Sequence, residues 1–521
     1  MTTRGFTTTT LHCDRTKPIE HGAIHKPIHN SAAFGFADVT DLVKVFQGDQ
    51  AGFVYGRQGT PTTAALEEKI TRMEQGIATA TFGSGMGAIS ATLLALLRSG
   101  DHLIASRFLF GNTTSLFETF AQFGIAVTFV DATEARHVEA ALRPETRMVF
   151  VETIANPCTQ VADLEGIGAL CRCHGLLYVV DNTITTPYLF RPQSVGASLT
   201  INSLTKYIGG HGNALGGAVT ETGCFDWSGF PNLYDFYKKG SPSLWGITQI
   251  RKKGLRDAGA TLGPEAAHHL AVGSETLALR MDRIGANAQR LADFLQAHAK
   301  VKRVYYPGLP NHPQHERAKK LFRGHSGILA FELQDGLDSL DIFSRLRVVI
   351  SSTNLGDNRT LAIPVAQTIY FELGQARRVV DVHHPLGHGA KDGAVIELLE
   401  GLAPLGAARH LAHEQDHGRG VLVGDVHAGR GIGRSRPACH EADAGPAREL
   451  ALGLSHHRGA ALLAADGDGD VGVMQSVENG QVALTGYAEQ LLDTMGDELA
   501  HQDLAAGARG EGRRHCGLYC W

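Results

Sequence analysis

Val179-Val-Asp-Asn-Thr183 and, one crossover later, Ser203-Leu-Thr-Lys-Tyr-Ile-Gly-Gly-His211 decide how this chain is read. The first is an apolar run ending in Asp181, the pattern of a buried strand with a carboxylate at its C-terminal end. The second leaves another apolar strand, Leu199 to Ser203, and reaches Lys206 with Ser203 and Thr205 close before it. Alone, such a lysine is a solvated charge and such an aspartate a helix cap. Together they are the two groups that pyridoxal phosphate (PLP) chemistry requires: an amine to hold the aldehyde, and an anion to keep the ring nitrogen protonated.

The surrounding pattern builds a sheet around that pair. Ala78 to Phe82, His102 to Ala105, Ala126 to Val130, Met148 to Glu152, Leu176 to Asp181 and Leu199 to Ser203 are short apolar strands. Helical periods at Thr62 to Glu74, Gly87 to Leu97, Thr114 to Phe123, Ala135 to Leu142 and Leu164 to His174 separate them. Strands alternating with helices predict an α/β fold with a mostly parallel sheet covered on both faces. Residues 1–60, rich in Thr, His and Pro with little sustained periodicity, read as an arm. Residues 61–255 form the large domain, and 256–378 a smaller α+β domain. The smaller domain holds one long helix, Ala266 to Ala299, and strands at Ser326 to Leu333 and Val348 to Ser352.

Composition bounds the function. At 521 residues there is ample chain for two or three domains, and 43% hydrophobic with 19% charged residues is ordinary for a globular protein. A formal charge of −5 gives no electrostatic case for nucleic acid or an anionic membrane. The N-terminus lacks the apolar stretch of a signal peptide, and eight cysteines in so long a chain do not form a dense disulfide framework. Cys171-Arg-Cys173 has no second pair at zinc spacing and reads as structural. The expected compartment is the cytoplasm, with no metal, nucleic acid or membrane partner.

Other stretches carry chemistry less specifically. Gly83-Ser-Gly-Met-Gly87 joins a strand to a helix start, where backbone N–H groups and small residues cradle phosphate; a tight turn has the same composition. It lacks the lysine of a nucleotide P-loop and the spacing of a dinucleotide fingerprint, which argues against a nucleotide-binding module. Tyr55-Gly-Arg57 offers a guanidinium fork beside a phenol. Glu152-Thr-Ile-Ala-Asn156-Pro places an amide just beyond a strand.

These stretches, in this order and spacing, resemble the cystathionine γ-synthase/γ-lyase family of cysteine and methionine metabolism, fold type I PLP enzymes. The resemblance runs from about Thr9 to Arg378. It includes Leu279-Arg-Met-Asp-Arg283, Tyr306-Pro-Gly308 and Ser352-Thr-Asn-Leu-Gly356 in the smaller domain. It implies a seven-stranded sheet, PLP as cofactor and an amino acid as substrate. Lys206 would be the Schiff-base lysine and proton shuttle, Asp181 the pyridinium partner, and Asn156 the contact to the ring hydroxyl. Gly85, Met86, Ser203 and Thr205 would form the phosphate cup, with Thr183 beside the cofactor and Asn354 on the substrate side. Tyr55 and Arg57 would reach the phosphate of a neighbouring subunit, which implies a homodimer or homotetramer with shared sites.

Two departures follow. Where the family places a tyrosine over the ring, this chain has Phe110, which keeps the stacking and loses the phenol. With the segment Phe225-Asp-Trp-Ser-Gly-Phe230, that points to γ-replacement on O-acetyl- or O-succinyl-homoserine, with cystathionine or methionine elimination as the alternative. The arginine that the family uses for the substrate α-carboxylate should fall near His388, yet no arginine stands between Arg378 and Arg409. Beyond Arg378 the composition also changes. Residues 379–521 contain one lysine, Lys391, and no phenylalanine, so the expectation is a non-family tail from a shifted or misjoined reading frame. A PLP-binding protein with impaired catalysis is the reading from another class, and His388 or Lys391 would be the substitutes for the missing anchor.

Overall fold

Seven short strands form the larger sheet: β1 (Ala78–Phe82), β2 (His102–Ser106), β3 (Ala126–Val130), β4 (Thr146–Glu152), β5 (Leu177–Asp181), β6 (Leu199–Ser203) and β7 (Gly217–Glu221). Their order is β1-β7-β6-β5-β4-β2-β3; β7 runs antiparallel to both neighbours and the rest are parallel. The computed structural model describes residues 5–15 and 19–368, with two further short strands at 394–397 and 518–519. The chain divides into two compact units, residues 1–402 with 498–521 and residues 403–497, and every described residue belongs to the first. Apart from those two strands the tail 379–521, with His388 and Lys391, lies outside the described residues.

The predicted strands are all present, with ends shifted by a residue or two. The central strands β2, β4 and β5 are buried on both faces, which is why they read as nearly unbroken apolar runs rather than as alternation, whereas the edge strand β3 is half-exposed. Helices α1 (Phe6–His12), α2 (Val39–Gln47) and α3 (Pro61–Glu74) precede the sheet; parallel neighbours need crossovers, and α4 (Gly85–Leu96), α5 (Gly111–Gln122), α6 (Ala135–Ala140) and α7 (Leu164–His174) lie in the connections between successive strands. Sequence reading passed over β7, whose short Gly-Ala-Val-Thr-Glu run reverses the chain between β6 and β1.

Helix α4 starts at Gly85, two residues earlier than its apolar period suggests, because the Ser84 side chain accepts the Gly87 N–H at 3.0 Å and caps it there. Its middle is held from behind by a π-helix, Ile250–Asp257. A side chain at Gly254 would overlap the Ala91 backbone, so the two helices touch with nothing between them.

The long helix expected over Ala266 to Ala299 is two, α8 (Pro264–Ser274) and α9 (Leu277–Ala297). The buried Arg280 explains the break. Its guanidinium takes the Gly273 carbonyl at 2.8 Å, along with the Tyr207 and Ile208 carbonyls. Glu275, in the break, turns to Lys69, which is 1% exposed and lies 2.9 Å from Glu275 and 3.8 Å from Asp14. That buried lysine joins arm, large domain and helix pair.

The arm is more regular than expected. Helix α1 stacks Phe6 edge-on against Tyr188. Helix α2 buries no residue, and Val39, Val43 and Phe46 are all exposed. The smaller sheet contains β8 (Val301–Tyr305), β9 (Ile328–Leu333), β10 (Ile350–Ser351), β11 (Leu361–Ile363), β12 (Ala394–Glu397) and β13 (Leu518–Tyr519). β12 lies between β11 and β9, and β8 takes the other side of β9; β13 registers with both β9 and β11.

Beneath the larger sheet, Glu74 is fully buried. Its Oε1 accepts from the Asn182 and Asn202 amides at 3.1 and 2.6 Å, and burial pushes its carboxyl up to about 7. A carboxyl raised in the folded state favours folding in its neutral form. The stability is therefore present below the ordinary carboxyl value and is lost as pH rises towards 7. At roughly 1.4 kcal/mol per pKa unit the full loss is about 3 kcal/mol. E74Q should therefore melt close to wild type at pH 5 and above it at pH 8, as thermal unfolding at the two pH values would show.

Candidate active site

β4 and β5 end level, so Glu152 stands in register beside Asp181, and Asp181 beside Ile201 of β6. Two carboxylates therefore meet at the C-terminal edge of the sheet, where open α/β sheets bind ligands. Burial raises both above the ordinary carboxylate range, and the neighbouring Asp181 charge raises Glu152 further. The Thr183 N–H, donated to Asp181 Oδ1 at 2.9 Å, holds the Asp181 rise back. Both carboxyls are thus pushed towards their neutral forms, Glu152 further than Asp181.

Glu152 also organises the neighbouring backbone. Its Oε1 accepts the Phe110 N–H at 2.8 Å, and it accepts the Asn156 N–H as well. Phe110 is the residue at the head of α5, and Asn156 is buried just beyond β4. One carboxyl thus fixes the backbone of two of the residues singled out from sequence.

On the β6 side, Thr183 Oγ1 accepts the Ser203 N–H at 2.8 Å, tying the end of β5 to the end of β6. Ser203 faces Gly85, where a Cβ would sit 2.9 Å from the Ser203 Cβ and 3.0 Å from its Oγ. So close an approach of the α4 start to the end of β6 requires glycine at residue 85. Gly85 and Met86 are the first residues of a 12-residue helix, so their N–H groups have no partner within it. The Thr205 hydroxyl is engaged with Gly216, donating to its carbonyl at 3.2 Å and accepting its N–H at 3.0 Å. Lys206 leaves β6 in a turn, and its Nζ donates to Asn354 Oδ1 at 3.3 Å, which brings the smaller domain to the lysine.

Tyr55 and Arg57 pack elsewhere on their own chain. The Arg57 guanidinium lies 5.4 Å from the Tyr55 ring centre and donates to the Arg256 carbonyl. The Arg57 carbonyl accepts from Thr261, one residue past Ala260, whose carbonyl takes the Gly83 N–H. The segment Phe225 to Phe230 is a packing cluster. Trp227 is fully buried, stacks edge-on with Phe225 and Phe230, and donates its indole N–H to Glu221. It therefore carries no argument about the reaction, contrary to the sequence expectation.

Sequence reasoning quoted Glu152 without giving it a role; the signal was its position at a strand end level with Asp181. It missed Asp357 and Arg359 altogether. These line a cavity of about 700 Å³ together with Thr205 and Asn354. A second cavity, of about 770 Å³ and lined by Thr133, Asp163, His312 and Arg317 among others, shares no residue with it.

An amine just beyond one strand, a buried carboxylate at the end of the adjacent strand, and a helix start with free N–H groups and a glycine are what a PLP molecule needs. The fold and these groups define a fold type I PLP-dependent enzyme. A family model described as Cys/Met metabolism PLP-dependent enzyme matches residues 7–384, and the chain belongs to that family. An L-methionine gamma-lyase from Fusobacterium nucleatum subsp. polymorphum is 37% identical over 68% of this chain and 86% of its own. A methionine gamma-lyase from Pseudomonas putida is 38% identical over 69% and 85%. Among solved structures, one assigned as an O-acetylhomoserine (thiol)-lyase from Campylobacter jejuni, carrying N'-pyridoxyl-lysine-5'-monophosphate, superposes with a TM-score of 0.69. It is 29% identical and covers 76% of this chain and 96% of that one. A cystathionine gamma synthase from Xanthomonas oryzae gives 0.65 at 27% identity, covering 77% and 95%. The family consists of PLP-dependent trans-sulfuration enzymes, and PLP is the cofactor. No helix among the described residues is long and apolar enough to cross a membrane.

The Glu152 clamp has a measurable consequence. E152A removes the acceptor for two backbone N–H groups, each worth about 1 kcal/mol, and should weaken PLP retention by about tenfold. E152Q keeps an acceptor oxygen and should stay close to wild type, as an equilibrium titration of cofactor absorbance would show.

Proposed function

We propose that this chain performs γ-replacement on O-acetyl- or O-succinyl-homoserine, expelling the acyloxy group as a carboxylate and adding sulfide or cysteine to give homocysteine or cystathionine. Bound PLP supplies an electron sink for the charge left at Cα. Lys206 would hold the cofactor through Nζ, and the same nitrogen would accept and return the substrate Cα proton. Asn354 Oδ1, 3.3 Å away, orients that amine. Asp181 is the anionic partner of the ring nitrogen, Asn156 the contact to the ring hydroxyl, and Phe110 the cover of the ring face. Gly85, Met86, Ser203 and Thr205 take the phosphate, with Thr183 bracing Ser203 and Asp181.

Phe110 is the observation that carries the choice of reaction. A carboxylate leaves as a stable anion without help, whereas a thiol leaving group gains much more from a nearby acid. A ring without a phenol at the head of α5 leaves proton transfer to Lys206 and suits the acyloxy leaving group. Elimination from methionine or cystathionine is the second reading, favoured by the identity to L-methionine gamma-lyases. Product analysis separates the readings. With O-acetylhomoserine and sulfide, homocysteine and acetate should appear in equal amounts, and methionine alone should release little keto acid. A keto acid and ammonia as the main products would install the elimination reading. Cofactor binding without any product would install the impaired one.

We also propose that the sites are shared between subunits, with Tyr55 and Arg57 reaching the partner's phosphate. Val39, Val43 and Phe46 form an exposed apolar stripe at helical spacing on α2, in the same arm as the half-exposed Tyr55, and such a stripe is suited to a second copy of the chain. If so, K206A and R57A are each inactive or weak alone, and co-expressing them restores activity in mixed oligomers that hold one intact site. Homo-oligomers that each act independently would leave the mixture as weak as its parts.

A further inference from the structure

The cavity lined by Thr205 and Asn354 has one cation among the described residues of its lining, Arg359, with the Asp357 carboxylate beside it. Loop 354–359 is pressed directly onto the Lys206 backbone. Gly356 sits at φ +77°, and a Cβ there would overlap Lys206 C and Tyr207 N. The same loop places Asn354 on Lys206 Nζ at one end and Arg359 on the cavity wall at the other. On the facing strand exit, Gly212 has φ +61°, and a side chain there would strike Asp357 Oδ2.

Asp357 is 3% exposed. Its Oδ1 accepts the Arg359 N–H at 3.0 Å and Arg359 Nη1 at 2.9 Å. The buried Arg280 also feels the Asp357 charge, which supports its own. Arg280 spends its donors on the Tyr207, Ile208 and Gly273 carbonyls. Of the two guanidinium groups, Arg359 alone makes a direct contact with the Asp357 carboxylate. Arg359, with a side chain 58% exposed, is the group that lines the cavity. A guanidinium has five N–H donors in a planar fork, and the Asp357 contact occupies one edge of it.

We propose that Arg359 binds a carboxylate of the amino-acid substrate in the cavity between Thr205 and Asn354. The assignment rests on the reading of Lys206 as the reacting amine. It gives the chain an anion anchor within the described residues, in a loop that also contacts Lys206. O-Acetylhomoserine offers only its α-carboxylate, whereas O-succinylhomoserine offers a second carboxylate at the far end of the acyl chain.

Two analogues that lack a γ-leaving group test this without turnover: L-norleucine, with an α-carboxylate alone, and L-2-aminoadipate, with a second carboxylate on its side chain. Binding to PLP-loaded wild type, R359Q and R359K is read from the absorbance of the bound cofactor. R359Q should weaken at least one analogue by about tenfold, with R359K between it and wild type. Equal weakening of both identifies the α-carboxylate, and weakening of aminoadipate alone identifies the distal one. R359Q binding both analogues within about twofold of wild type overturns the proposal, as does a wild-type protein that binds neither. If acyl-homoserines are not turned over while norleucine or aminoadipate binding still depends on residue 359, the proposed reaction fails and the anchor stands.

Discussion

Two buried carboxyl groups ending level on adjacent strands are a problem that the rest of the site resolves. Desolvation and mutual repulsion make a doubly ionised Glu152–Asp181 pair costly. The relief is asymmetric. Glu152 is pushed further towards its neutral form and accepts from the Phe110 and Asn156 backbone, while Asp181 is steadied by Thr183 and is suited to a cationic partner. A protonated pyridine ring is such a cation. The cofactor's ring end is therefore specified by strand register, and its phosphate end by the helix that follows β1.

Much of this was legible in the sequence, and what was legible shares a cause. Asp181, Lys206 and the Gly83–Gly87 loop lie at strand exits, where apolar runs stop abruptly and polar residues begin. Parallel strands buried on both faces make that change sharp. The helix α2 within the arm was not legible because its apolar stripe of Val39, Val43 and Phe46 buries no residue among the described part of the chain and so did not stand out as a core. The break between α8 and α9 was invisible because Arg280, an ordinary helical residue by propensity, captures carbonyls that a continuous helix would leave in its ladder.

Arg359 was illegible for a different reason. Nothing in Asn354-Leu-Gly-Asp-Asn-Arg359 announces that the loop folds onto Lys206. That proximity depends on two glycines with positive φ, Gly212 and Gly356, each yielding room to a group from the other domain. The composition change after Arg378 was legible, by contrast, and the family match ends six residues later, at 384.

The π-helix behind α4 carries a consequence of its own. Gly254 touches Ala91 near the middle of α4, so the helix is fixed at its waist as well as by the Ser84 cap. A rod clamped at two points cannot slide along its axis. Any displacement forced at residue 254 would be delivered, undamped, to the N–H groups of Gly85 and Met86. A spot with leverage over the start of α4 therefore lies at the Gly254–Ala91 contact, away from the Gly85–Ser203 contact.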